Sequence, residues 1–391
     1  PNIEELKKIF NYVSTNIENK NIISAYALGF GGAIEAISKM SFGNGIGCDI
    51  KITEDLLFDL SYGSFIVEAD TLLDNEFAIY LGETINDNLI INDEVITIEE
   101  AFQCNRKRFT AVYKDKLDTK NDQLKLNCFK ANEVKTLNNK DEVKVFIPVF
   151  PGTNCDYDTA KAFRRAGAMI ESFVFRNLTT EDINYSIKQM ALKIDEADIF
   201  VLSGGFSAGD EPDGSGKFIA CVLNNELVKS AINRLIARRG LILGICNGFQ
   251  ALIKSGLLPD GKIGEVTKDS PTLFRNDINR HVSQIVSTKV MSNNSPWLRG
   301  YETGEIHSIA VSHGEGKFVV SDELAKKLFA NGQVAFCYVD DKEKETLESP
   351  YNPNGSNYAI EGIVSSDGLI LGKMGHSERY EENNFKNIYG E

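Results

Sequence analysis

The sequence predicts an α/β fold, a doubly wound and mostly parallel sheet, preceded by a smaller α+β domain. Three observations carry this. From Val143 onward, continuous apolar runs of strand length alternate with amphipathic helical patterns, the rhythm of a parallel sheet covered on both faces. Before about residue 115 helical stripes mix with alternating or β-branched segments, and that rhythm is absent. The strands of the second part also end in glycine-bearing turns, the edge at which open parallel sheets bind ligands.

Taken in order, "IEELKKIFNYV" places Ile3, Leu6, Ile9, Phe10 and Val13 on one helical stripe after Pro1. "NIISAYALGFGGAIEAISKMSFG" predicts a short strand, a glycine turn and a helix with Ala33, Ile34, Ile37 and Met40 on one side. "SYGSFIVEAD", "FAIYLGETI" and "NLIINDEVITI" predict strands, which outnumber helices after residue 50. Residues 116–142 are polar, charged and without a sustained period, and predict a linker between a domain at 1–115 and one at 143–391. There "VKVFIPVF", "IESFVF", "ADIFVLSGG" and "GLILGICNG" predict four successive buried strands. "YDTAKAFRRAGA" and "SGKFIACVLNNELVKSAINRLIARR" predict helices between them, and more strand pattern fills about 280–375.

The 391 residues suffice for two domains or slightly more. Acidic side chains number 56 against 42 basic ones, and no Lys/Arg-rich stripe or tail occurs, so nucleic acid is not an expected partner. No apolar stretch reaches the eighteen or so residues that cross a bilayer, and no secretory signal opens the chain. A cytoplasmic protein without membrane association is the expectation. The seven cysteines (48, 104, 128, 155, 221, 246 and 337) form no C-x-x-C and no Cys/His cluster, which argues against a disulfide framework or a structural metal site. The chain starts at Pro1 without methionine, which suggests a piece of something longer.

The chemistry concentrates at Gly244-Ile245-Cys246-Asn247-Gly248. This fits G-x-C-x-G, the cysteine form of a nucleophile elbow, in which a sharp strand-to-helix turn exposes the nucleophile. A thiol at a helix N-terminus is acidified by the unpaired N–H groups and the positive end of the dipole. Yet free cysteine is often buried and inert, so on this motif alone a structural and a reactive Cys246 stand about even. His376 and Glu378 in "KMGHSER" shift the balance, because in extended chain both side chains share one face, completing a Cys–His–Glu arrangement. Oxyanion donors would be the Asn247 N–H and, from "LSGGFSAGD", Gly204 or Gly205, although an ordinary tight turn explains that spacing equally well.

Together "GICNGFQAL", "LSGGFSAGDEPDGSGKFIA", "VSHGEGKF" and "MGHSER" resemble the class I (triad-type) glutamine amidotransferase family. More narrowly they resemble the glutaminase domains of the phosphoribosylformylglycinamidine synthase family, over about 143–391. The resemblance implies a flavodoxin-like fold and assigns Cys246 as nucleophile, His376 as base and Glu378 as its orienting partner. It implies Gly205 and Asn247 as oxyanion donors, and Gln250 with the His313-Gly314-Glu315-Gly316 run as lining of the L-glutamine pocket. "IISAYALGFGGAIEAISKMSFGNGIGCDI" with "LSYGSFIVEAD" looks like the C-terminal part of an aminoimidazole-ribonucleotide-synthetase-like domain, as in the large fused enzymes. The resemblance then implies partner synthetase domains in the same polypeptide, ATP and Mg2+ used there for amidine formation, and neither cofactor nor metal at the glutaminase site. Three positions depart from the family: Ser203 and Ser377 stand where proline is frequent, and Phe249 where cysteine is. Cys155 and Cys221 are better read as structural.

Two other functions stay open at this level. A cysteine peptidase or related hydrolase of this architecture would use the same triad, although the papain-type C-G-x-C-W is absent. A non-catalytic scaffold would more often show a damaged triad. No P-loop, G-x-x-x-x-G-K-[ST], occurs.

Overall fold

The computed structural model describes residues 2–73, 75–108, 126–131, 140–207, 216–264, 266–382 and 384. It divides into two compact units, Pro1–Lys114 and Asp115–Glu391.

In the first unit α1 (Ile3–Glu18) begins where the Asn2 side chain accepts hydrogen bonds from the Glu4 and Glu5 N–H groups, an N-cap. Its apolar stripe is amphipathic but none of its residues is buried. β1 (Ile22–Ala27), α2 (Gly32–Asn44), β2 (Ile46–Ile50), α3 (Glu54–Leu57) and β3 (Phe65–Ala69) follow. β4 (Gly82–Asn86) takes up only the second half of "FAIYLGETI". "NLIINDEVITI" folds as two strands, β5 (Asn88–Ile91) and β6 (Glu94–Thr97). Asn92 and Asp93 turn between them at φ 54° and 73°, the left-handed pair of a tight hairpin. α4 (Ile98–Lys107) closes the unit with a capping box between Thr97 and Glu100. The four-stranded sheet runs β4-β2-β5-β6, and a small core gathers Ala33, Ile37, Cys48, Ile50, Ile52, Leu89 and Ile91.

In the second unit β7 (Lys144–Val149), α5 (Asp156–Arg165), β8 (Met169–Val174), α6 (Thr180–Glu196) and β9 (Ile199–Leu202) build parallel crossovers. α6 lies in a stretch that the sequence reading leaves unassigned. The single helix expected after β9 is two, α7 (Lys217–Leu223) and α8 (Glu226–Ala237). The break falls where Asn224 donates back to the Ala220 carbonyl and Asn225 caps the Leu227 N–H. β10 (Leu241–Ile245), α9 (Asn247–Lys254), α10 (Leu257–Asp260), β11 (Thr272–Phe274), β12 (Val282–Val290), β13 (Ile306–His313) and β14 (Lys317–Val319) come next. α11 (Asp322–Ala330), β15 (Val334–Val339), β16 (Ile360–Val364) and β17 (Ile370–Lys373) complete the chain of elements.

The nine-stranded sheet has the order β13-β12-β15-β16-β17-β10-β9-β7-β8. Its parallel half is β8-β7-β9-β10-β17, which by chain order reads 2-1-3-4-5, the flavodoxin-like winding. The sequence predicts a mostly parallel sheet. The observed sheet is mixed, because the strands after residue 280 extend it through antiparallel pairings from β17 to β13. β10 and β17 are buried throughout and β7 and β9 over most of their length, which is why those runs read as continuously apolar, whereas β8, expected to be buried, is the edge strand and is largely exposed.

Of the expected linker 116–142, the parts 116–125 and 132–139 lie outside the described residues. The part between packs on the second unit. The Phe129 N–H donates to the Met291 carbonyl at 2.7 Å, and the Asn293 side chain accepts from the Ala131 N–H at 2.8 Å.

Candidate active site

β10 and β17 run parallel with Ile245 opposite Lys373, so both strands end at one edge. Beyond Ile245 the Cys246 N–H donates to the Lys373 carbonyl at 2.8 Å. Cys246 then takes φ 51° and ψ −103°, a conformation that costs a side-chain-bearing residue of order 1–3 kcal/mol. The flanking glycines make the turn possible. A Cβ on Gly248 would stand 2.0 Å from the Leu202 carbonyl oxygen, and one on Gly244 2.8 Å from the Gly248 carbonyl. Because α9 starts at Asn247, the sulfur stands at its N-terminus. The buried Cys246 Sγ lies 3.7 Å from the Ser312 carbonyl oxygen at the end of β13.

His376 follows β17 by three residues. Its Nδ1 meets Glu378 Oε1 at 2.6 Å, with the rings and carboxylate almost wholly buried. The sequence spacing predicts this pair on extended chain. The structure places Glu378 in a 3-10 turn, Ser377–Arg379, and the contact closes across that turn. The His376 N–H donates to the Ala310 carbonyl at 2.8 Å. Burial alone disfavours the imidazolium, but interactions with Cys155, Cys246 and Glu378 outweigh it and hold the His376 pKa well above its ordinary range. Among the described residues Nε2 has no hydrogen-bond partner. The orientation is that of an imidazole whose Nδ1 is tied to a carboxylate and whose Nε2 is left unpaired among the described residues.

One cysteine set aside by the sequence belongs to this site. Cys155 lies in the turn after β7 at the N-cap position of α5, where it stands beside His376. Arg379 Nη2 donates to Cys155 Sγ at 3.1 Å, and Sγ lies 3.1 Å from Asn154 Oδ1. No G-x-C-x-G turn marks Cys155, so only the topology reveals it. Donor atoms of Cys155, His376 and Glu378 lie within 4.8 Å of one another, a set that could hold a soft divalent ion. The commitment of His376 Nδ1 to Glu378 and the guanidinium on Cys155 both oppose a cation there.

The expected substrate residues converge on the same edge. Gly204 sits against the imidazole: a Cβ there would stand 2.7 Å from His376 Cε1 and 3.2 Å from Cys155 Sγ. Gly205, at φ 148°, bridges to Thr153, where a Cβ would meet the Gly152 oxygen at 2.6 Å. A buried relay joins the remaining elements. The Ser207 N–H donates to Asn247 Oδ1 at 3.3 Å, Asn247 Nδ2 to Gln250 Oε1 at 2.9 Å, and Gln250 Nε2 to the Glu315 carbonyl at 2.6 Å. Asn276, which the sequence reading did not single out, donates to the His313 carbonyl at 2.8 Å and accepts from the Gly316 N–H at 3.1 Å, fixing the 313–316 turn. The His313 ring is buried against Gly316, and neither ring nitrogen has a partner among the described residues. Burial first, then the nearby His376 and His281, push its pKa down to about 3, so it is neutral.

Each departure from the family pattern has a structural counterpart. Ser203 donates to Thr159 Oγ1 at 3.1 Å, and Ser377 accepts from Lys373 Nζ at 2.7 Å. Phe249 stacks on Phe318 at a centroid distance of 6.3 Å and packs over Gly372.

Residues 142–391 match the family model described as a CobB/CobQ-like glutamine amidotransferase domain. The chain belongs to the glutamine amidotransferase family. Similar proteins of this family include phosphoribosylformylglycinamidine synthase subunit PurQ of Gloeobacter violaceus, 33% identical over 239 residues, which cover 61% of this chain and 89% of that one. The subunit of the same name from Rhodopseudomonas palustris is 34% identical over 242 residues, 61% of this chain and 90% of its own. Among solved structures, that of PurLQS from Thermotoga maritima matches 62% of this chain and 90% of the solved chain, at 27% identity and a TM-score of 0.44. The glutamine amidotransferase match thus starts at residue 142, two residues before β7. No helix among the described residues is long and apolar enough to cross a membrane.

Proposed function

We propose that residues 142–391 are the glutaminase component of a phosphoribosylformylglycinamidine synthase in purine biosynthesis, with Cys246, His376 and Glu378 as its catalytic residues. The observation that carries this is the strained Cys246 turn, hydrogen-bonded to the strand that presents the His376–Glu378 pair. Likeness to the PurQ subunits over nearly their whole length supports the choice of reaction.

On this reading the Cys246 thiolate attacks the side-chain amide carbon of L-glutamine. The negative charge on oxygen is met by the Asn247 N–H and by the backbone at Gly204 or Gly205. His376 gives its proton to the departing ammonia, leaving a γ-glutamyl thioester. It then takes a proton from the water that hydrolyses the thioester to glutamate. Glu378 holds the imidazole in one orientation and stabilises its charged form. Neutral His313, with Gln250 and Glu315, lines the glutamine pocket. Ammonia passes to a synthetase part, where ATP and Mg2+ serve the conversion of formylglycinamide ribonucleotide into its amidine. Residues 1–115 would be the C-terminal portion of an aminoimidazole-ribonucleotide-synthetase-like domain of the same polypeptide, and the protein would be cytoplasmic.

A second reading makes Cys155 the nucleophile, favoured by its contact with the Arg379 guanidinium. Backbone geometry argues against it, since Cys155 has φ −101° and ψ 13° and no turn that thrusts the sulfur outward. The functional test is release of glutamate and ammonia from L-glutamine by the chain with its synthetase partner. Cys246→Ala should abolish it. Peptide hydrolysis without ammonia release would favour the peptidase, and inertness to both would favour a scaffold.

A further inference from the structure

Two buried ionisable side chains beside this site have no part in the steps above. Glu361 on β16 and Lys373 at the end of β17 are 1% and 7% exposed. Their strands pair antiparallel, Gly362 opposite Lys373. Burying a carboxylate or an ammonium is costly unless its partners replace water, so the partners are informative. Glu361 Oε1 accepts the Gly375 N–H at 2.5 Å. Lys373 Nζ donates to Ser377 Oγ at 2.7 Å and lies over the Phe336 ring, 4.8 Å from its centroid. Gly375 and Ser377 are the two neighbours of His376. A Cβ on Gly375 would meet Ile309 Cδ1 at 2.5 Å and Glu361 Oε1 at 2.9 Å, so this peptide is closed in from both sides.

We propose that Glu361 and Lys373 are positioning residues, two buried side chains that separately grip the residues before and after His376 and so hold its imidazole toward Cys246. Burial raises the Glu361 pKa and lowers that of Lys373, and the field of each opposes the shift of the other. The charged and titratable groups around the same turn are Cys155, Cys246, Glu378, Arg379 and His313. The inference rests on the reading of Cys246 and His376 as the reacting pair.

The test uses the full chain and two readouts: kcat and KM for glutamine, and the pH profile of iodoacetamide alkylation read on the Cys246 peptide by mass spectrometry. Lys373→Met and Ser377→Ala should each lower kcat about tenfold with KM within about twofold, the pattern of a displaced catalytic group. Both should also change the pH profile of Cys246 alkylation, because the sulfur loses its imidazolium neighbour. Ser377→Thr, which keeps the hydroxyl, should restore both. Glu361→Gln, which keeps an acceptor for Gly375, should do less harm than Glu361→Ala. Ser377 is exposed, so Ser377→Ala decides the matter if the buried variants fail to fold. Parental kcat and a parental alkylation profile in folded Ser377→Ala and Lys373→Met would overturn the proposal. An unmodified chain that hydrolyses no glutamine would instead overturn the reading beneath it, and this inference with it.

Discussion

The backbone N–H of Cys246 donates to the carbonyl oxygen of Lys373 at 2.8 Å, three residues before His376. Two side chains 130 positions apart are thereby anchored just beyond the ends of one pair of parallel strands. The register, Ile245 opposite Lys373, does the work: a slip by one residue would turn every side chain of β17 to the other face.

Glu378→Gln leaves a side chain of the same shape at the 2.6 Å contact with His376 Nδ1 but removes its charge. Glutamine hydrolysis should fall by roughly two orders of magnitude or more, chiefly in kcat, since the imidazolium loses its stabilising partner. Steady-state kinetics decide, and an activity near that of the parent would contradict the assigned role.

The two histidines of the site give opposite dependences of stability on pH. His313, lowered to about 3, stays neutral in the fold, so its contribution is present above the ordinary 6.5 and is lost as pH falls from there towards about 3. The slope from one such group approaches about 1.4 kcal/mol per pH unit. His376 is raised, so its contribution is complete below 6.5 and is lost as pH rises through its higher value. Urea denaturation of His313→Asn across pH 4 to 7 should show a flatter acid limb than the parent. An unchanged limb would rule out the buried neutral ring.

Gly204→Ala places a methyl group 2.7 Å from His376 Cε1. The imidazole must shift, and a misplacement of about 1 Å costs on the order of a hundredfold in rate. Thermal denaturation and kcat measured on the same preparation should show a folded protein with severely reduced turnover.

Gln250→Ala breaks the relay from Ser207 to the Glu315 carbonyl. Leaving buried amide partners unsatisfied costs about 1–3 kcal/mol. Stability should drop by that order and KM for glutamine should rise more than kcat falls, because on the proposed reading the relay joins the walls of the glutamine pocket and not the reacting atoms. A normal KM would mean that the relay serves the fold alone.

How much of this was legible depends on whether a residue acts through local pattern or through topology. G-x-C-x-G is local, because close packing leaves no room for a Cβ at Gly244 or Gly248 on either side of the cysteine. The apolar runs of β7, β9 and β10 were legible because strands buried on both faces carry no polar alternation. His376 with Glu378 was found by spacing, although the contact closes over a 3-10 turn and not along a strand. Cys155 was missed because nothing in its neighbours marks it, and only the meeting of two strand ends brings it to His376. Glu361 and Lys373 lie in strands whose other residues read as core, and a lone charge in such a run carries no sign of its partner. The antiparallel half of the sheet was only coarsely visible, since register among strands after residue 280 is set by tertiary pairing.

The most direct measurement is covalent labelling by a γ-electrophilic glutamine analogue, mapped by mass spectrometry in the parent, Cys246→Ala and Cys155→Ala chains. The label should sit on Cys246 in the parent, vanish in Cys246→Ala and persist in Cys155→Ala. A label on Cys155 that survives in Cys246→Ala would contradict the assignment of the nucleophile.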